Sequence, residues 1–343
     1  MTSVACELPG SPSKYSKAED DAAAVQLGDT PSSRLAEAFA DSDSACARDL
    51  ESSCGFNLKR CARTPGCAEF AECVLGEATP AASTTCGDLL DTTLEARWSY
   101  EDLRACWGER HQTCSVGTNW DCVGGYDPPS TEHAALTLSQ TLTYFEQSAL
   151  EAAFDVRICG ALTDCSSPIA RAATDAHGRY TETLPVEVVP GRPGSAWWGY
   201  RQVDSPRIHP TRIEQNIPVW GDQVDVTRIL DSQQVGILQL LSGATRSEAI
   251  FIQVLDCKSS PAGNVRLTLD GSESGSIGYA DSLRSATAPH GGAAAYDLEF
   301  DQLLRIEAEW LSDGAEDPLP VSEWRGSIRR GEVVYVKLYP EPR

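Results

Sequence analysis

Chemistry-bearing side chains are densest in VRICGALTDCSSPIARAATDAHGRY, Val156 to Tyr180, where Cys159, Asp164, Cys165, Asp175 and His177 lie within twenty-five residues. Thiols, carboxylates and an imidazole at that density could exchange disulfides, ligate a metal or move protons. The five residues between Cys159 and Cys165 suit a bridge between adjacent backbone segments, whose Cα atoms must come within about 7 Å. His177 has a counterpart at His290, each beside a glycine. A shared metal or acid–base site is one reading of that pair; solvated turn histidines, held apart on two repeats, are the other.

Two further stretches invite chemistry. DGSESGSIGYAD places Asp270, Ser272, Ser274, Gly275 and Asp281 at the first, third, fifth, sixth and twelfth positions of a calcium loop. Hard Ca²⁺ wants six to eight oxygens, and the glycine permits the sharp turn. However, strand-like text precedes the segment and Asp stands where a bidentate Glu is usual, so a polar loop between strands is the competing reading. PGSAWWGYRQV holds the densest aromatic group. Strand alternation would send Trp198 and Tyr200 to one face and Trp197 to the other, leaving a ring outside as a platform for a glycan or protein, unless the rings cover a neighbouring element. G-x-S-x-G, H-E-x-x-H and a phosphate-binding glycine loop do not occur, which disfavours the corresponding hydrolases and nucleotide enzymes.

Cysteine usage fixes the compartment. Nine of the thirteen cysteines fall between Cys46 and Cys122, none at C-x-x-C spacing, and histidines number five. A disulfide framework is expected, drawn from Cys46, Cys54, Cys61, Cys67, Cys73, Cys86, Cys106, Cys114, Cys122, Cys159 and Cys165, in an oxidising compartment outside the cytosol. The odd count leaves one thiol over. Cys6 is the candidate, because SVAC resembles the end of a bacterial lipid-anchor signal, although the five residues before it are too few for a signal peptide's apolar region. The net charge of −22 excludes nucleic acid as a natural partner, since such binding rests on Lys and Arg displacing counterions. No cofactor is implied beyond the calcium alternative.

The elements follow from periodicity. Residues 1–40 have few large apolar side chains and read as a flexible tether. Residues 41–125 space Cys, Leu, Phe and Val at three to four and read as a small disulfide-stapled helical domain, with Ser99 expected as a helix N-cap. Period-two text then gives a first β-sandwich over 126–218 and a second over 249–343, joined by a helical connector over 219–248 that includes VTRILDSQQVGILQLLSG. The expected fold class is multidomain α + β, a stapled helical head followed by two antiparallel transthyretin-like or Ig-like sandwiches. The two β regions share paired segments, DC-x-S-P at Cys165 and Cys257 and T-x-x-H-G ending at Gly178 and Gly291, which predicts a superposable repeat.

Thr174, Asp175, Gly178 and Tyr180 fit the T-D-x-x-G-x-Y pattern of the carboxypeptidase regulatory-like domain, and residues 128–343 resemble two copies of it, the second with Ala288 in place of the Asp. In order of parts, with the W-x-C-V-G junction at Trp120, the chain also resembles uncharacterised secreted proteins and lipoproteins of predatory bacteria. That resemblance implies transthyretin-like sandwiches and no peptidase activity. Two functions are therefore expected to compete. The first is a non-enzymatic extracytoplasmic binding or structural protein, secreted or anchored to the outer membrane through Cys6, whose partner is a protein or glycan of the cell envelope. The second is a secreted enzyme with a site in the cysteine-rich head near His111 and Asp102.

Overall fold

The computed structural model describes residues 30–40, 43–77, 79–110, 118–125, 127, 129, 134–144, 153–160, 165–188, 195–279, 286–287, 292–311 and 317–341. Five helices come first: α1 (Pro31–Phe39), α2 (Ser44–Arg63), α3 (Cys67–Glu77), α4 (Ala82–Leu89) and α5 (Leu94–Arg110). Their termini are written in local chemistry. Thr30 caps α1 ahead of a proline in its first turn, and the Asp43 carboxylate accepts from the Ala45 and Cys46 N–H groups at the start of α2. Leu35, Leu50, Leu58, Phe70, Tyr100, Leu103 and Trp107 fill a shared core. Cys54–Cys106, Cys61–Cys67 and Cys73–Cys86 staple it. Cys46 is also disulfide-bonded.

Two expectations for this head need correction. The tether read as running to residue 40 ends earlier, because α1 buries Leu35 and Phe39 against the other helices. Ser99 is not an N-cap. Helix α5 begins six residues sooner, where the Thr93 hydroxyl accepts from Ala96 N–H, and Ser99 lies buried within the helix against Thr64.

Sixteen strands follow among the described residues. Those of the first sandwich are β1 (Ala135–Tyr144), β2 (Asp155–Gly160), β3 (Ala170–Ala173), β4 (Arg179–Pro185), the short pair β5 (Glu187–Val188) and β6 (Ser195–Ala196), then β7 (Gly199–Asp204), β8 (Thr211–Gln215) and β9 (Gln223–Ile229). Helix α6 (Ser232–Ser242) connects to β10 (Ala249–Val254), β11 (Val265–Asp270), β12 (Ser276–Tyr279), β13 (Gly292–Tyr296), β14 (Leu304–Trp310), β15 (Leu319–Gly326) and β16 (Val333–Leu338). The fold class is thus a stapled helical head followed by β-sandwiches. Strand pairing is mostly antiparallel, with parallel contacts at β1–β9, β10–β16 and β16–β8.

The sandwiches are fused rather than strung. One eight-stranded sheet runs β12-β13-β10-β16-β8-β7-β2-β3 through both, faced by β11-β14-β15 at one end and β4-β1-β9 at the other. Because successive side chains on a strand point to opposite faces, β16 serves two cores. Val334, Val336 and Leu338 enter the second core, whereas Tyr335 packs on the first and Lys337 reaches Asp225 of β9. The helical reading of Val226–Leu230 is replaced by β9, whose cross-strand register with β1 is continuous over seven residues.

The expected repeat is half real. Strands β1, β2, β4 and β9 correspond to β10, β11, β13 and β16 by pairing order. Thr174 N–H donates to Phe154 O at 3.0 Å and Thr174 Oγ1 accepts from Phe154 N–H at 2.9 Å. Thr287 makes the same two bonds to Val265, at 2.8 and 3.0 Å. These buried threonines clamp equivalent strand starts. The DC-x-S-P match is a coincidence, because Cys165 follows β2 whereas Cys257 follows β10. Gly291 lies outside the described residues.

Candidate functional site

The head does not hang free. Residues 118–125, which leave it, plug the second sandwich: Trp120 is buried in that core beside Trp310, ring centroids 6.3 Å apart. Cys122 is bonded to Cys257 across 135 residues of sequence. Cys257 stood outside the expected framework, since a solitary cysteine in strand text offers no spacing to read. Asn119 O accepts from Cys257 N–H, and the Asp256 carboxylate accepts from the N–H groups of Asn119, Lys258 and Ser260. Helix α5 meanwhile lies along β9, with Arg104 donating to Ser259 O at 2.6 Å and Arg97 to Asp222 O at 3.1 Å.

Where head and both sandwiches meet, a cleft of about 580 Å³, counting its open mouth, is bounded by α3, α4 and α5, by residues 215–224, and by Ser259 and Tyr339. Its polar side chains divide into satisfied and unsatisfied. Glu101 and Arg104 form a buried ion pair at 2.6 Å. Burial pushes the Glu101 carboxyl above the usual range against the pull of Arg104. Tyr100 Oη, Gln215 Oε1 and Gln223 Oε1 are buried with no hydrogen-bond partner among the described residues. Such groups normally find one in the protein or in water.

Behind β9 lies a second polar cluster, inside the first sandwich. Asp225 accepts from Lys337, from Gln140 Nε2 at 3.2 Å and from Thr227 Oγ1 at 3.1 Å, and Tyr180 Oη donates to Gln140 Oε1 at 2.6 Å. Arg201, 1% exposed, leaves Nε and one Nη without partners among the described residues. Burial alone would raise the Asp225 carboxyl, but Lys337 and Arg201 outweigh it and hold Asp225 below the ordinary carboxylate range. This cluster has the character of an internal structural network.

Asp256 supplies a pH prediction. Burial raises its carboxyl to about 6, an effect its three backbone donors oppose but do not cancel. The folded state therefore holds this proton more tightly than the unfolded chain does. The resulting stability is full below about pH 4 and is lost as pH rises through about 6. Wild-type stability relative to Asp256→Asn should fall by roughly 2–3 kcal/mol between pH 4 and 7 in urea titrations. A constant difference across that range would refute the assignment.

The sequence-derived sites fare unevenly. Cys159 is bonded to Cys165. The pair packs with Tyr200, itself buried under the Arg212 guanidinium at 5.5 Å. The aromatic platform is not assembled, since Trp197 and Tyr200 are core residues and only Trp198, 39% exposed, reaches solvent. Alternation fails there because Trp197 stands outside β7 in a bridge to Val219, its ring folded over Gly199, where any Cβ would collide with it. The calcium loop is also absent as a loop: residues 276–279 are β12, the Ser274 hydroxyl donates to Asp297 O, and Ser272 Oγ accepts from Glu299 N–H. Asp270 lies 3.8 Å from Arg305, and Asp281 falls outside the described residues.

His177 is exposed, its backbone N–H bonded to Asp175. His111, His290, Cys6 and Cys114 lie outside the described residues. Asp102 is held by Arg60 at 2.8 Å and by Arg179 of β4 at 2.9 Å, which makes it a tie between head and first sandwich. The polar residues the sequence reading passed over had a faint signal in one case: Lys337 interrupts the otherwise apolar strand text of EVVYVKLY. Tyr100, Gln215 and Gln223 had none, because convergence of distant segments is invisible along a chain.

No family model matches the chain, and no curated protein does. Among solved structures, the chain is similar to the shaft pilin SpaA of Lactobacillus rhamnosus GG at 10% identity over 60% of this chain and 98% of that one, with a TM-score of 0.19. The Streptococcal ancillary pilin gives 11% identity over 62% and 64%, with a TM-score of 0.18. The Bacillus anthracis TIE protein gives 12% identity over 61% and 34%, also at 0.18. Likeness at this level assigns neither family nor function.

Proposed function

We propose that this chain is a non-enzymatic structural or binding component outside the cytoplasm, working as one rigid unit. The observation that carries the reading is the fused architecture: a single sheet spans both sandwiches, and the head's trailing segment is buried and disulfide-bonded in the far one. Rigid, cross-linked modules suit a part that must hold a surface in place in an oxidising environment. A lipid anchor at Cys6 would tie the unit to the envelope, and transthyretin-like modules descended from a regulatory-like domain would form its body. The acidic surface would keep it soluble and discourage nonspecific adhesion.

Labelling intact cells with a membrane-impermeant amine reagent, with calorimetry of the purified full chain alongside, tests the proposal. Labelling without lysis and a single cooperative transition are expected. Labelling only after lysis would overturn the location, and separate transitions for the two sandwiches would overturn the rigid unit.

A further inference from the structure

We infer that Cys46 is bonded to Cys114, which gives the head a second disulfide between α2 and α5 and leaves Cys6 as the one thiol outside the framework. This goes beyond the structural role above and does not depend on it. Cys46 is disulfide-bonded and buried in the head's core. Five bonds among the described residues take up ten of the thirteen cysteines. Cys6 and Cys114 are the two partners left for it.

The register of two helices chooses between them. Helices α2 and α5 run antiparallel: Thr64 Oγ1 meets Ser99 Oγ at 3.2 Å, Asn57 Nδ2 donates to Asp102 O at 2.8 Å, and Cys54 is bonded to Cys106 with Cα atoms 6.0 Å apart. Cys46 lies eight positions before Cys54, and Cys114 eight positions after Cys106. Eight helical residues advance ~12 Å, so the two positions fall at one level of the pair. Helix α5 ends at Arg110, level with Leu50, which leaves about 6 Å to cover along the axis, and four residues span at most about 14 Å. Two straight helices would turn such side chains about 80° off the line between their axes. However, α2 departs from helical dihedrals at Cys54, with φ −114° and ψ 18°, and α5 stops short of Cys114, so neither side chain is bound to that angle. Loop closure points the same way. Cys114 is four residues beyond Arg110, whereas Cys6 is twenty-four residues ahead of Thr30, where the described chain starts. Encounter within a chain falls roughly as the −3/2 power of tether length, which favours Cys114 roughly fifteenfold. The bond also closes a covalent route through the molecule. Eight positions separate Cys114 from Cys122, so one short segment is fastened to the head at one end and to the second sandwich at the other.

Peptide mapping of the oxidised full chain tests the assignment. The chain is unfolded at acidic pH, where thiolate exchange is suppressed, blocked with N-ethylmaleimide and digested without reduction. Trypsin cuts after Arg48 and Arg110 and Asp-N before Asp121, which parts Cys46 from Cys54 and Cys114 from Cys106 and Cys122. Mass spectrometry should find Cys46 and Cys114 in one cross-linked peptide pair and the maleimide on Cys6 alone. A Cys46–Cys6 pair as the main species, or maleimide on Cys114 or Cys46, overturns the inference. Thermal unfolding is the second readout. Cys6→Ser should leave the midpoint unchanged, while Cys46→Ser and Cys114→Ser should lower it alike, by about 5 °C or more. Equal losses in Cys6→Ser and Cys46→Ser would overturn it too, and the peptide map, made on the wild type, stands even where a variant fails to fold.

Discussion

Replacing Trp120 by Ala should unfold the second sandwich, although the residue lies more than a hundred positions ahead of that module's first strand. Trp120 belongs to the same core as Ile250, Val265, Ile306, Trp324 and Val336. Removing a buried Trp side chain costs about 3–5 kcal/mol, part of it for the cavity left behind. Urea denaturation followed through β-sheet circular dichroism should show the loss, and limited proteolysis should cut first within residues 249–341. Trp120→Phe is the internal control. It keeps an aromatic filler and removes an indole N–H that has no partner among the described residues, so it should cost less than half as much. An Ala variant as stable as wild type would mean that the plug is surface decoration.

The second large effect is expected at Asp225. Truncation to Ala leaves Lys337 and Arg201 buried without their counter-charge, and breaking a buried pair from one side costs about 3–5 kcal/mol. The double variant Asp225→Leu with Lys337→Met should recover a large part of that loss, because an apolar pair asks for no solvation. Denaturation midpoints of Asp225→Leu, Lys337→Met and the double variant form a thermodynamic cycle. If the single losses simply add, the ion pair is not the unit of stability. The sign of the pH dependence is a further check. A carboxyl held below its usual range stabilises the fold at neutral pH, and this contribution disappears as the solution is acidified through that range.

The sequence was legible wherever one face of an element meets water. Strands such as β4, β11 and β14 alternate between covered and more exposed positions, and they could be read directly. Strand β9 could not be read that way, because both its faces are covered: Asp225, Thr227 and Ile229 point into the sandwich, while Arg228 reaches Ala105 of the head. A polar interior scrambles the pattern that announces a strand. The candidate cleft was illegible for another reason. Tyr100, Gln215 and Gln223 come from three separate elements and share no spacing, and only the docking of α5 on β9 brings them together.

The Cys122–Cys257 bond has a consequence for biogenesis. A chain threaded through a membrane N-terminus first delivers every cysteine of the head, Cys122 included, to the oxidising side before the last strands emerge. Cys122 then waits beside reactive neighbours for a partner that does not yet exist outside. Until Cys257 emerges, Cys122 is available for mixed disulfides with the head, since a thiolate attacks any disulfide within reach. The mature bond therefore closes last, and wherever Cys122 has entered a head disulfide it closes by exchange, so an isomerase should speed oxidative refolding of this chain.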